Sequence, residues 1–155
     1  MEKEKSLIYL GGDHAGYFLK ENVKLFLIER GFSISDFGPE IFDQHDDYPD
    51  ILHPLACELS KYPKQRAIVF GGSGMGESIV LNRYSHVRCG VWYGGDFEII
   101  KNYREHDDIN ALAIATRFIE TKDVYKAIEI FLQTRFLNEE RFIRRVEKID
   151  GMKIL

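Results

Sequence analysis

The feature that most narrows what this chain can fold into is its rhythm. Short apolar runs, several closed by glycine, alternate with longer stretches of helical spacing. Residues 6–12, 32–37, 67–70, 87–92 and 111–115 read as strands, being rich in β-branched and aromatic residues and too short for helices. Residues 17–30 place Phe18, Leu19, Val23, Phe26 and Leu27 on one helical face, and Gly31 stands where a helix-ending glycine belongs. Residues 48–61 form a second predicted helix, opened by Asp46 and Asp47, whose charges suit the positive end of a helix dipole. Further helices are expected near 75–84, 96–104, 122–134 and 138–148. Strand–helix alternation of this kind predicts an α/β fold in which a parallel sheet is covered on both faces. Ligands in such folds sit at the carboxyl ends of the strands, so the polar loops of this chain are expected to converge there.

At 155 residues the chain fits one domain, taken here as 1–155. Its apolar runs reach only about five to seven residues, far short of the roughly 20 needed to span a bilayer, so no membrane partner is expected. The charged start, Met1 to Lys5, leads into no signal-peptide core, which predicts a cytoplasmic protein. Cys57 and Cys89 lack paired-motif spacing and read as buried free thiols. A net charge of −4 argues against nucleic acid as a partner, while leaving room for a local anion site.

The most informative segment is Gly71-Gly72-Ser73-Gly74-Met75-Gly76-Glu77, with four glycines in six positions between a strand and a helix. Its amides can form an anion-binding nest. It lacks the Lys-Ser/Thr ending of a nucleotide P-loop, the third glycine of a dinucleotide fingerprint and the second glycine of a hydrolase elbow. What remains is a nest with a carboxylate at its exit. Glu77, near a helix start, is expected to be held ionised by the dipole. A carboxylate base beside oxyanion donors is what proton abstraction next to a carbonyl requires. In isolation, Glu77 would read as an ordinary first-turn acid.

Other clusters keep two readings open. Asp13 suits a helix N-cap, and His14 beside it can face solvent or touch a phosphate or hydroxyl. Asp46-Asp47-Tyr48-Pro49 is either a helix start or a ligand wall. His106 is a surface histidine or an acid–base group. Arg117, Arg141 and Arg145 can grip a phosphate, but Glu139 and Glu140 offer ordinary ion-pair partners on the last helix. No spacing suggests a metal site.

Several of these motifs, in this order and over nearly the whole chain, resemble the type B ribose-5-phosphate isomerase family, which also holds the galactose-6-phosphate isomerase subunits. They include Gly11-Gly12-Asp13-His14-Ala15-Gly16, Asp47-Tyr48-Pro49, Gly71 to Ile79, Asn82-Arg83, Val87-Arg88-Cys89, Arg104-Glu105-His106 and Arg141 to Arg145. The resemblance implies a three-layer α/β/α Rossmann-like sandwich with a five-stranded parallel sheet, and no metal or other cofactor. It implies a homodimer or homotetramer with sites between subunits, a C-terminal helix (about 138–150) packing on the partner. The implied reaction is aldose–ketose isomerisation of a phosphosugar, ribose 5-phosphate first and a hexose 6-phosphate second, with a non-catalytic phosphosugar binder as the third reading. By position it makes Glu77 the base and His106 the ring-opening proton donor. Asp13 and His14 would contact the sugar, and the amides of Gly72, Ser73, Gly74, Met75 and Gly76 would hold the enediolate. Arg117, Arg141 and Arg145 would bind phosphate, the last two reaching into the neighbouring subunit's site. Some members carry cysteine in place of Gly71. Asp107 stands where the family usually has Asn, and Phe142 where many members have His.

Overall fold

The computed structural model describes residues 6–153. Its elements run β1 (Leu7–Gly12), α1 (Tyr17–Glu29), β2 (Ser33–Asp36), α2 (Tyr48–Lys61), β3 (Arg66–Gly71), α3 (Met75–Leu81), β4 (Cys89–Trp92), α4 (Glu98–Asp107), β5 (Ala111–Ala115), α5 (Thr121–Gln133) and α6 (Glu140–Asp150). The strands pair in the order β2-β1-β3-β5-β4, all parallel. This is the three-layer α/β/α sheet expected from the alternation.

The period-2 pattern of each strand decides which layer covers it. Ile8, Leu10, Ile68, Phe70, Leu112 and Ile114 face one way, onto Val23, Leu27, Ile100, Val124, Ile128 and Phe131 of α1, α4 and α5. Tyr9, Ala67, Val69, Ala111 and Ala113 face the other, onto Leu52, Leu55 and Leu59 of α2 and Leu81 of α3. Alanines on that face of β5 let α3 lie close to the sheet. Among the described residues no helix is long and apolar enough to cross a membrane.

Two boundaries fall inside their expected limits for a shared reason. α3 stops at Leu81 instead of 84, and β4 starts at Cys89 instead of 87. The Asn82 amide pairs with both backbone groups of Cys89, donating to its carbonyl at 3.0 Å and accepting its N–H at 2.9 Å. The side chain thus imitates a neighbouring strand at the sheet edge. The two thiols are not the fully buried pair expected. Both residues are half-buried, although the Cys89 sulfur is turned inward and burial pushes the thiol up to about 12.

One buried charge cluster holds the β1–β2 edge. Lys20, with no exposed surface, donates to both oxygens of Asp36 at 2.9 and 2.8 Å and to Glu21 at 2.8 Å. Burial works against the Asp36 carboxylate, but bonds from Lys20, Lys24 and the Gly38 amide outweigh it and hold the group below its ordinary value. Stability from this group is therefore present above the unfolded carboxyl range and lost as pH falls through the folded value. Asp36→Ala leaves the Lys20 ammonium with Glu21 alone and is expected to cost about 3 kcal/mol, measured by urea unfolding near neutral pH.

Candidate active site

At the carboxyl ends of β1, β3 and β5 the loops enclose a cavity of about 450 Å³. Its lining includes Asp13, His14, Gly72, Ser73, Gly76, Glu77 and Arg117. Seven of the residues expected at a ligand site are thereby brought together from three segments of chain.

Glu77 is the centre of the arrangement. It is 3% exposed, and its carboxyl group lies directly over Gly71. A Cβ built on Gly71 would stand 2.1 Å from the Glu77 carboxyl carbon, so only glycine leaves room for the carboxylate. Gly74, at φ +72°, makes the left-handed turn that starts α3 and swings Glu77 inward. Among the described residues the amides of Gly72, Ser73 and Gly74 donate to no protein acceptor. Met75 donates to the Ser73 hydroxyl at 3.3 Å, and its side chain points outward, 53% exposed, away from the cavity lining. The loop is pinned from below by β5, where the Thr116 and Arg117 amides donate to the Gly71 and Gly72 carbonyls at 2.9 and 3.1 Å.

The expected effect of the helix dipole on Glu77 is reversed. Burial pushes its carboxyl up, with the nearby Asp13 charge adding to the rise and the residue's own amide opposing it. α3 has only seven residues, and its dipole does not overcome desolvation. For a general base this is useful, since a carboxylate of raised basicity accepts a carbon-bound proton more readily.

Asp13 is not the expected cap. Gly16 is the N-cap of α1, and Asp13 Oδ1 instead accepts the Ala15 amide at 2.9 Å in a tight local turn. His14 is tied to Asp46, with Nδ1 2.6 Å from Oδ1. That bond is the main reason its imidazole is raised. Asp46 and Tyr48 also line the cavity. They were among the clusters with two readings, and the sequence signal that could have selected them was the Asp46-Asp47-Tyr48-Pro49 segment. Tyr48 packs against Gly76, where any Cβ would meet its ring at 2.6 Å. Asp13, His14 and Asp46 each offer a ligating atom within 4.8 Å of the others, with Asp13 Oδ1, His14 Nδ1 and Asp46 Oδ1 already engaged in hydrogen bonds.

His106 and Asp107 are not in this cavity, against the expectation that the loops converge; Arg141 and Arg145, which the resemblance directs to a neighbouring subunit's site, also lie outside it. His106 and Asp107 end α4, which precedes β5, so they lie at the amino end of a strand whose carboxyl end carries Arg117. Five residues of β5 separate the two ends by roughly 13 Å. There the His106 ring stacks on Phe142 with centroids 4.4 Å apart, and the Arg141 and Arg145 guanidinium carbons lie 4.5 and 6.0 Å from the same ring. Arg141 also pairs with Glu139 at 2.9 Å. The Asp107 side chain is exposed. A second polar cluster therefore exists on each chain, at the opposite end from the first.

A family-wide sequence pattern described as Ribose/Galactose Isomerase matches residues 8–149. The chain belongs to this family. It is 31% identical to the ribose-5-phosphate isomerase B of Mycolicibacterium paratuberculosis over 140 residues, covering 90% of this chain and 87% of that one. It is 32% identical to the probable ribose-5-phosphate isomerase B of Mycoplasma pneumoniae over 142 residues, with 92% and 91% covered. Among solved structures it resembles ribose-5-phosphate isomerase B from Mycoplasma genitalium with bound ribulose-5-phosphate, at a TM-score of 0.87 and 29% identity, with 93% of each chain covered. The Clostridium thermocellum ribose-5-phosphate isomerase B superimposes with a TM-score of 0.85 at 33% identity, covering 93% of this chain and 95% of that one.

Proposed function

We infer that this member of the family interconverts D-ribose 5-phosphate and D-ribulose 5-phosphate through a cis-enediolate, in the cytoplasm and without a metal. One observation carries the reading: a buried carboxylate of raised basicity lies over Gly71, beside amides with no protein acceptor and next to Arg117. The Glu77 carboxylate removes the proton on C2 of the open-chain aldose. The electron pair moves into the C1–C2 bond, and the C1 carbonyl oxygen takes up negative charge within reach of the loop amides. Returning that proton to C1 while the O2 proton passes to O1 gives the ketose. Arg117 holds the phosphate end. The substrate of the Mycoplasma genitalium structure and the names of the relatives support this choice of sugar.

The reading needs more cations than one cavity supplies. We assign these to a second copy, whose α6 would bring Arg141 and Arg145 to the phosphate and whose α4 would bring His106 to the ring oxygen. A two-fold dimer makes this reciprocal, each chain completing the other's site. The test is complementation. Glu77→Gln and His106→Asn proteins, each inactive alone, are unfolded together and refolded as a mixture. Hybrids carry one intact site, so about a quarter of wild-type turnover is expected in a coupled ribose 5-phosphate assay. No recovery, with hybrids present by mass spectrometry, would mean that the site is not shared. Hexose 6-phosphates run in the same assay separate the ribose from the galactose branch.

A further inference from the structure

The cavity wall poses an electrostatic problem for any phosphate ester. Asp13, Asp46, Asp47 and Glu77 line it against one guanidinium, Arg117. One further cationic group is available in the same chain, the imidazole of His14, and the structure equips it for that state. Its Nδ1 lies 2.6 Å from Asp46 Oδ1, and the same oxygen accepts the His14 backbone N–H at 3.1 Å. Ring and backbone are thus fixed by one carboxylate reaching across from a loop 32 residues away. Asp46 has no competing structural task. Asp47, not Asp46, is the N-cap of α2, and Asp46 Oδ2 is buried with no partner among the described residues. The His14 side chain is 31% exposed where it lines the cavity, and its Nε2 has no partner among the described residues.

A ring whose Nδ1–H is given to a carboxylate presents Nε2 as an acceptor when neutral and as a donor when protonated. The groups facing His14 favour the proton on balance. The bond to Asp46 raises the imidazole, burial opposes, the charges of Asp13 and Asp46 assist, and Arg117 opposes. Asp47, Tyr48 and Glu77 complete the surroundings. His14 and Arg117 line the same cavity, so one anion can be held by both.

We propose that Asp46 is a positioning residue for anion binding: its carboxylate fixes the His14 ring so that Nε2–H points into the cavity as a second donor, beside Arg117, for the substrate's anionic end. Asp46 itself touches no ligand in this arrangement. The proposal rests on the functional reading for the identity of the ligand, but its test does not need turnover.

The experiment follows the His14 ring by NMR across about pH 5 to 9, with inorganic sulfate as the probe, because its charge is constant over that range. In the wild type, His14 is expected to titrate above the ordinary imidazole value of 6.5, and in Asp46→Asn to fall back toward it. Sulfate binding should weaken as pH rises through the His14 titration, and do so at lower pH in Asp46→Asn. Near pH 7.5 the variant should bind sulfate roughly tenfold more weakly, converging with the wild type once both rings are protonated. In the His14→Gln background, Asp46→Asn should add almost nothing. Asp46→Glu should restore part of the loss. The proposal is overturned if wild-type His14 titrates at or below 6.5, a result that needs no variant to fold. It is equally overturned if Asp46→Asn weakens sulfate just as much when His14 is already absent. If the titration and sulfate results hold but no sugar phosphate is turned over, the functional reading fails and the role of Asp46 stands.

Discussion

Glu77→Gln is expected to lower kcat for ribose 5-phosphate by roughly a thousandfold while leaving ligand binding nearly intact. The amide has the size of the carboxyl group and fits over Gly71, but it cannot accept the C2 proton. Stability should move the other way. Burial raises the folded Glu77 carboxyl above its unfolded value, so the folded chain binds more protons in the window between the two. Stability therefore falls as pH rises through that window, and a neutral amide escapes the penalty. A melting temperature near neutral pH that is equal to or above wild type, together with the lost turnover, is the expected pair of results. The same direction sets the acid limb of the wild-type profile: kcat/KM should fall, as pH is lowered, at a value above the ordinary carboxyl 4.5. If Glu77→Gln keeps wild-type turnover, the base is another group.

Gly71→Ala is the second large effect. The added methyl would sit 2.1 Å from the Glu77 carboxyl carbon, far inside van der Waals contact, and a side chain only 3% exposed has little room to withdraw. A displacement of about 1 Å in a catalytic group costs on the order of a hundredfold, so turnover should fall by that much or more. Overpacking should cost about 1–3 kcal/mol of stability in addition. The decisive comparison is the double variant. In the Glu77→Gln background Gly71→Ala should reduce turnover little further, because both changes remove the same base. Full additivity would show that Gly71 matters through something other than Glu77. Deuterium exchange at C2 of the substrate reads both variants directly.

Much of this architecture is legible in the chain because it is local. Strand-like runs such as Ala111 to Ala115 and helical spacing such as Phe18 to Leu27 are properties of neighbouring residues, and the structure keeps them within a few positions. The glycine loop is legible for the same reason. What escapes is tertiary. The pairing of His14 with Asp46 depends on how the loop before α2 folds back, and no spacing rule connects residues 32 apart. The rise in Glu77 depends on burial, which outweighs the dipole visible from its place near a helix start. Asn82 ends α3 early because it meets Cys89, a contact that exists only once β4 is in place. The location of His106 was accessible in principle: a residue that precedes a parallel strand lies at the opposite end from one that follows it.

That last geometry reaches beyond a single molecule. If the site is shared as proposed, a lone chain, with the carboxylate at one end of β5 and the imidazole–phenyl stack at the other, has half of a machine at each pole and a whole one at neither. On the shared-site reading, activity per chain is a function of how many neighbours each chain finds. Serial dilution should then depress specific activity before it unfolds anything, and the partnership itself becomes the quantity a cell would adjust to set the rate.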